Sequence, residues 1–272
     1  MNENEFAQKA IEIRRTIRER QPLIHHITNF VVMNMTANVT LAVGASPVMA
    51  HAHEEVKDMA AFAGALVLNI GTLTPYWIDA MIMAGKTAGQ RGIPIVLDPV
   101  GSGATALRTE AAKKILAEVP ISVVRGNASE VMSLFADKDA VNIRGVDSLE
   151  TVDAVRHGAQ MLAGNLKKVL AVTGPVDIVT DGTRTVEVHN GTPMFSRVTG
   201  TGCSATTVIS CFCAVEPDLL AATATALGYY GLAGEEAARV SAGPGSFQGA
   251  LYDALYNLPE DTMKKKLRIR PV

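Results

Sequence analysis

The sequence predicts an α/β fold, a single domain over residues 1–272 with a mostly parallel central sheet, helices on both faces and a short hairpin late in the chain. Two observations predict it. Short continuous apolar runs such as Ala65–Ile70 and Ile93–Leu97 alternate with helical segments of about ten to fifteen residues. Strands of that kind are covered on both faces, and the alternation marks right-handed βαβ units. In addition, no Pro-, Gly- or Ser-rich linker and no shift in composition divides the chain. Aromatic residues make up only 5%, so Ala, Val, Leu, Ile and Met must fill the core.

Taken in order, Glu5–Arg20 places Phe6, Ala10, Ile13 and Ile17 at helical spacing, and Pro22 stops the helix. Leu23–Ile27 reads as a strand, with Thr28 as N-cap of a helix over Asn29–Ala42 that Gly44 ends. Strand Ser46–Ala50, helix His53–Ala63 and strand Ala65–Ile70 follow. Thr74 and Pro75 open a helix to about Arg91 as cap and first helical residue. Strand Ile93–Leu97 ends at Asp98, and helix Thr109–Val119, strand Ser122–Val124, helices Ala128–Ala136 and Val152–Leu166, and strand Lys168–Val172 come next. Val176–Thr180 and Thr185–His189 flank Asp181-Gly182, a tight-turn pair, and so form the hairpin. Helices Thr201–Ala214, Pro217–Val240 and Phe247–Leu258 complete the last third. The tail Lys264–Arg270 alternates basic and apolar residues. It is a basic binding tail or, favoured because Leu267 and Ile269 share a face, a final edge strand with its charges outward.

Composition narrows the function classes. A formal net charge of −2 gives no electrostatic case for nucleic acid or an anionic membrane. Met1–Arg20 lacks the apolar stretch of a signal peptide, and the most apolar run, Met59–Leu73, is short and broken by Gly64, Asn69 and Gly71. Three cysteines, an odd number, then indicate free thiols in a reducing compartment, and a cytoplasmic location is expected.

The stretch Val198-Thr199-Gly200-Thr201-Gly202-Cys203-Ser204-Ala205-Thr206 carries the chemistry. Gly200 and Gly202 lack Cβ atoms and let a ligand approach the backbone. The amides of Thr201, Gly202 and Cys203 fall in the first helical turn, unpaired within the helix and at its positive end, which makes an anion hole for a transferring phosphoryl group. On spacing alone, a plain tight loop competes evenly. The full Gly-x-Gly-x-x-Gly fingerprint and a Walker sequence ending in Gly-Lys-Ser/Thr are both missing, which argues against a dinucleotide fold and a P-loop kinase.

Thr199-Gly200-Thr201-Gly202-Cys203 resembles the anion-hole motif of ribokinase-like kinases. An aspartate usually holds the last position there, and cysteine is similar to the hydroxyethylthiazole kinase branch. Ile27-Thr28-Asn29, Gly44–Met49, Leu68–Thr72, Leu97–Gly101, Arg125–Glu130 and Gly243–Phe247 resemble the same branch in the same order, over nearly the whole chain. The resemblance implies a three-layer ribokinase-like fold with the hairpin near the nucleotide site. It also implies magnesium- and ATP-dependent phosphorylation of 4-methyl-5-(2-hydroxyethyl)thiazole in thiamine salvage, by a homotrimer with sites between subunits. Asn29 and Met49 would then stand on one chain and Cys203 on its neighbour.

The resemblance also implies roles for single residues. Arg125 and Thr173 match nucleotide-contacting positions, with Arg125 at the carboxyl edge of the sheet, where a guanidinium can grip phosphate oxygens in a fork. Asp98 and Glu130 resemble magnesium-site carboxylates acting directly or through water, with Asn127 in their hydration network or as a helix N-cap. Met49 and Gly200 match substrate-binding positions, and Asn29 is expected either to offer its amide to the thiazole or to cap a helix. Cys203 is a small buried residue or a sulfur that takes the alcohol's proton late, its pKa lowered by the helix start. Phosphoryl transfer has a loose transition state, so Cys203→Ala is expected to cost far less than loss of the anion hole, and Cys203→Asp to keep turnover. A Cys203 dyad with His25 or His26 and a zinc site with Cys211 and Cys213 are disfavoured. The rival functions are a kinase for another alcohol, a nucleotide-dependent dehydratase of related fold, a non-catalytic nucleotide-binding regulator and a thiol hydrolase.

Overall fold

In the computed structural model, which describes residues 1–134 and 152–272, six strands run parallel. They are β1 (Leu23–Ile27), β2 (Ser46–Met49), β3 (Ala65–Asn69), β4 (Ile95–Asp98), β5 (Val123–Asn127) and β6 (Val169–Thr173). Antiparallel β7 (Asp177–Thr180), β8 (Thr185–Val188) and β9 (Ile269–Pro271) extend the sheet, in the order β2-β1-β3-β4-β5-β6-β7-β8-β9. Side chains alternate across each strand, so Val67 packs into one hydrophobic cluster while its neighbours Leu66 and Leu68 pack into the other. Both faces being dry explains the unbroken apolar runs.

On the Val67 face lie α1 (Glu3–Arg20), α2 (Met33–Val43), α8 (Thr201–Cys213), α9 (Leu219–Val240), α10 (Pro244–Asn257) and α11 (Glu260–Lys266). The opposite face carries α3 (Val56–Phe62), α4 (Pro75–Gln90), α5 (Ala106–Glu118), α6 (Ala128–Ser133) and α7 (Val152–Leu166). The result is the predicted three layers. Thr74 caps α4 by accepting from the Trp77 amide at 3.3 Å, with Pro75 in the first helical position. Among the described residues no helix is long and apolar enough to cross a membrane.

Several boundaries differ from expectation. Thr28 does not cap a helix at Asn29, because α2 begins at Met33. Asn29 Oδ1 instead accepts from the Val31 amide at 3.1 Å, and the Phe30 amide donates to Thr72 Oγ1 at 3.1 Å, holding this segment in a turn across the sheet edge. Helix α5 starts at Ala106, three residues earlier than the expected Thr109, with Thr105 as its cap. The hairpin turn spans residues 181–184 rather than two residues, because Asp181 Oδ1 gathers the amides of Thr183 and Arg184. The tail is split: Lys264–Lys266 end α11, and only Ile269–Pro271 form the edge strand, with Leu267 and Ile269 buried as predicted. Helix Ala128–Ala136 is described to Ser133 as α6, and its expected last two positions lie outside the described residues.

Candidate active site

Because β1, β3, β4, β5 and β6 are parallel, the segments that follow them gather at one edge of the sheet. Asn69 and Asp98 end adjacent strands as a register pair, and so do Asn127 and Thr173. The start of α8 meets this edge. Gly200, at φ +86°, turns the chain into the helix, and a Cβ there would lie 2.9 Å from both Val32 Cγ1 and Met35 Sδ. At Gly202 a Cβ would lie 2.9 Å from Arg125 Nη1, so the guanidinium rests against the first turn. Ser204 makes the first intrahelical bond, to Gly200 O at 2.8 Å, which leaves the Thr201, Gly202 and Cys203 amides ahead of the ladder.

A cavity of about 780 Å³ opens beside this turn, lined by Arg125, Asn127, Thr173, Thr201, Gly202 and Tyr230 among others. Arg125 Nη2 donates to Thr173 Oγ1 at 2.7 Å, and Nη1 stands 3.8 Å from Asp98 Oδ2. Its buried Nε has no partner among the described residues. The Thr201 hydroxyl is engaged within the chain: it donates to Phe195 O at 2.7 Å, while the Thr201 carbonyl accepts from Tyr230 at 2.8 Å. Thr201 thereby ties the 3-10 turn Pro193–Arg197, on the cavity wall, to the helix start.

On the other side of α8 lies a buried polar cluster. Asp98 Oδ2 accepts from Asn69 Nδ2 at 2.8 Å and Thr206 Oγ1 at 2.9 Å, whereas Oδ1 is buried without a partner among the described residues. Burial pushes the Asp98 carboxyl up to about 6 against the pull of Arg125 and these hydrogen bonds. Asn69 Nδ2 also donates to Cys203 Sγ at 3.2 Å, and Asn29 Nδ2 reaches Asn69 Oδ1 at 2.8 Å and Cys203 Sγ at 3.7 Å.

Two residues depart from expectation here, Cys203 and Asn29. The Cys203 thiol is pushed up to about 12, first by burial and then by the Asp98 charge, so these outweigh the helix dipole and the sulfur stays protonated. Asn29 caps no helix, and it meets Cys203 within one chain, so the two do not come from different subunits. His25 and His26 bond to Ala50 O and Thr40 Oγ1, away from Cys203, and His26 is held neutral by burial, down to about 3.

Asn127 and Glu130 form a capping box at α6. The Asn127 side chain accepts from the Glu130 amide, Glu130 Oε2 accepts from the Asn127 amide at 2.9 Å, and Oε1 accepts from the Gly101 amide at 2.9 Å. Met49 ends the edge strand β2, half-buried and separated from Asn69 by β1, so it stands outside the cluster that gathers the other predicted residues. Cys211 and Cys213 are buried in α8, and no metal-binding group of three or more His, Cys, Asp or Glu occurs among the described residues.

Sequence reasoning gave no role to Asn69, Thr206 or Arg108. Asn69 had the same signal as Asp98, a polar residue closing a buried apolar strand. Arg108 donates to Ile70 O at 3.2 Å, Val100 O at 2.7 Å and Gly71 O at 2.7 Å, stapling the loops after β3 and β4. Nothing in its local sequence separates it from other surface arginines.

A family model described as the hydroxyethylthiazole kinase family matches residues 14–261. A hydroxyethylthiazole kinase of Desulfosudis oleivorans is 84% identical over 272 residues, covering 100% of this chain and 99% of the relative. The solved structure of a hydroxyethylthiazole kinase protein from Pyrococcus horikoshii superposes with a TM-score of 0.89 at 43% identity, covering 97% of this chain and 99% of that one. A ribokinase-like superfamily protein of Enterococcus faecalis, 13% identical, has the same fold at a TM-score of 0.65 over 87% and 88% of the two chains.

Proposed function

The chain belongs to the hydroxyethylthiazole kinase family, and from that premise we propose that this site passes the terminal phosphoryl group of ATP to the hydroxyl of 4-methyl-5-(2-hydroxyethyl)thiazole, for thiamine diphosphate biosynthesis by salvage. One observation carries the assignment: the first-turn residues Thr201 and Gly202 of α8, whose amides precede the helix ladder, line the same cavity as Arg125 and Thr173, with the Arg125 guanidinium resting against Gly202.

Arg125, Thr173 and the wall near Asn127 take the nucleotide phosphates. Gly200, Thr201 and Gly202 supply backbone donors where charge develops in the transition state. Asn29, Gly200 and Met49 bound the alcohol. Asp98, whose Oδ1 is buried without a partner, fits a hydrated magnesium ion, and Glu130, with both oxygens already accepting amides, fits a role through water. Magnesium, when bound, neutralises phosphate charge. A loose transition state keeps the proton on the alcohol until late, so a thiol at Cys203 held protonated does not block transfer.

The whole chain, 1–272, acts as one catalytic domain in the cytoplasm, as a homotrimer with sites at subunit contacts. The exposed Phe30, Val31, Leu41 and Phe62 support an apolar contact face. Met49, at the end of edge strand β2, is suited to reach a neighbouring subunit's site rather than its own. The test is ADP release with magnesium, with and without hydroxyethylthiazole. Alcohol-dependent release together with a phosphorylated thiazole is expected, and ATP turnover indifferent to the alcohol would overturn the assignment.

A further inference from the structure

Asn69 is 1% exposed, and all its hydrogen-bonding capacity is used. Oδ1 accepts from the Gly71 amide at 3.0 Å and from Asn29 Nδ2 at 2.8 Å, and Nδ2 donates to Asp98 Oδ2 at 2.8 Å and Cys203 Sγ at 3.2 Å. A backbone N–H can only donate, so the Gly71 amide fixes which end of the Asn69 carboxamide is oxygen. The Val31 amide does the same for Asn29 by donating to its Oδ1 at 3.1 Å. The direction of every bond in this chain is therefore determined: Asn29 to Asn69, and Asn69 to both Asp98 and Cys203.

Asp98 feels the consequence. Asn69 and Thr206 both donate to Oδ2, at 2.8 and 2.9 Å, and nothing bonds Oδ1. A buried carboxylate with one oxygen doubly clamped and the other bare is held in a single orientation. The clamp comes from two elements, the end of β3 and the first turns of α8, so it also fixes the distance between the sheet edge and the anion-hole helix.

We infer that Asn69, seconded by Thr206, is a positioning residue that holds the bare oxygen of Asp98 and the sulfur of Cys203 in register with the start of α8, and that it serves the transfer step rather than nucleotide binding. The inference rests on the kinase assignment above for its kinetic arm only. Asn69 lies outside the lining of the nucleotide cavity, and so does Thr206. Neither is hydrogen-bonded to Arg125, Thr173 or Gly202 among the described residues.

The experiment uses the full chain and four proteins: wild type, Asn69→Leu, Thr206→Val and Thr206→Ser. Leu and Val keep the shape of the side chains they replace and delete their hydrogen bonds. Steady-state kinetics should show kcat falling about 100-fold in Asn69→Leu and about tenfold in Thr206→Val, with KM for ATP within twofold. Thr206→Ser, which keeps the hydroxyl, should recover most of what Thr206→Val loses. A side chain acting only by filling space would show the opposite pattern, since valine keeps that space and serine does not.

A second arm needs no activity. Amide donation to Cys203 Sγ favours the thiolate, so alkylation by iodoacetamide at pH 9 should slow several-fold in Asn69→Leu and not in Thr206→Val. Cys211 and Cys213 are buried and serve as the unreactive background. Folded Asn69→Leu with kcat within threefold of wild type, a rise in KM for ATP alone, or alkylation as fast as in wild type would each overturn the inference. If the wild type itself shows no alcohol-dependent turnover, the kinase assignment fails, while the alkylation arm still decides whether Asn69 holds the sulfur.

Discussion

The two sides of the α8 N-terminus are built in opposite ways. On the cavity side, Arg125 Nε is buried without a partner among the described residues, the first-turn amides precede the helix ladder, and a cavity of about 780 Å³ stands open. On the side of the polar cluster, Asn29, Asn69, Cys203, Asp98 and Thr206 are bonded to one another, with Asp98 Oδ1 as the exception. One side holds unspent donors for an incoming anion. The other is already organised, because a buried polar cluster with loose ends is costly and flexible. Damage on the first side should therefore surface as lost phosphate recognition, and damage on the second as lost alignment or altered stability.

The largest effect should come from filling the contact between Gly202 and Arg125. Gly202→Val places Cβ 2.9 Å from Arg125 Nη1 and adds two methyl groups beyond it. By the scale seen when one oxyanion donor is removed, kcat/KM should fall about 10²–10³-fold. Cys203→Ala, one residue away, should cost less than about tenfold, because a thiol pushed up to about 12 supplies no base at neutral pH. Equal losses in the two variants, measured by coupled ADP release, would erase the contrast between the sides.

Asp98 gives the next effect, and its sign is opposite for stability and activity. Its carboxyl stands at about 6 in the fold against 3.8 for the ordinary value, with burial the main cause. The folded chain thus holds this proton more tightly than the unfolded one. The contribution is fully favourable below the unfolded value, is lost as pH rises through about 6, and amounts to a cost of about 3 kcal/mol above that. Asp98→Asn should abolish most activity yet raise the thermal stability of the metal-free protein at pH 8, with the gain shrinking by pH 5. Arg125 loses a neighbouring charge in the exchange, but it opens onto the cavity, where water can solvate it. A destabilised variant at pH 8 would mean that the Arg125–Asp98 attraction outweighs burial.

The same contrast explains what could be read in the sequence. The layers, the strands and the glycine turn were legible because each depends on local pattern: apolar runs closed by polar residues, and Gly200 and Gly202 opening a helix. Arg125, Thr173 and Asp98 followed from the family resemblance; Thr173 and Asp98 also close their strands, whereas Arg125 lies within β5. The polar cluster was legible only in part. Asn69 closes a strand as Asp98 does, but its importance comes from four partners on separate segments, which no local window contains. Asn29 looked like a helix cap because Thr28-Asn29 precedes a helical pattern, whereas long-range bonds to Asn69 and Thr72 hold that turn open. The helix start at Cys203 suggested a lowered pKa, which the fold overturns, because burial and the Asp98 charge depend on partners distant in sequence.

The smallest signal is the one that separates chain from assembly. Asn29 and Cys203 belong to one cluster in one chain, so mixing inactive Asn29 and Cys203 anion-hole variants should recover nothing. Met49 differs, because β1 separates it from Asn69 and it ends the open edge of the sheet. If it completes a neighbour's site in a ring of subunits, an inactive Met49→Lys chain supplies an intact anion hole and a Gly202→Val chain supplies an intact methionine. In an equal, randomly exchanged mixture about a quarter of the contacts would join the intact halves, so activity should approach about a quarter of wild type. The measurement is ADP release after co-refolding at several ratios, with a maximum expected at equal amounts. Recovery from the Asn29 and Cys203 mixture, or none from Met49 and Gly202, would put the division between subunits in a different place from the one the sheet edge suggests.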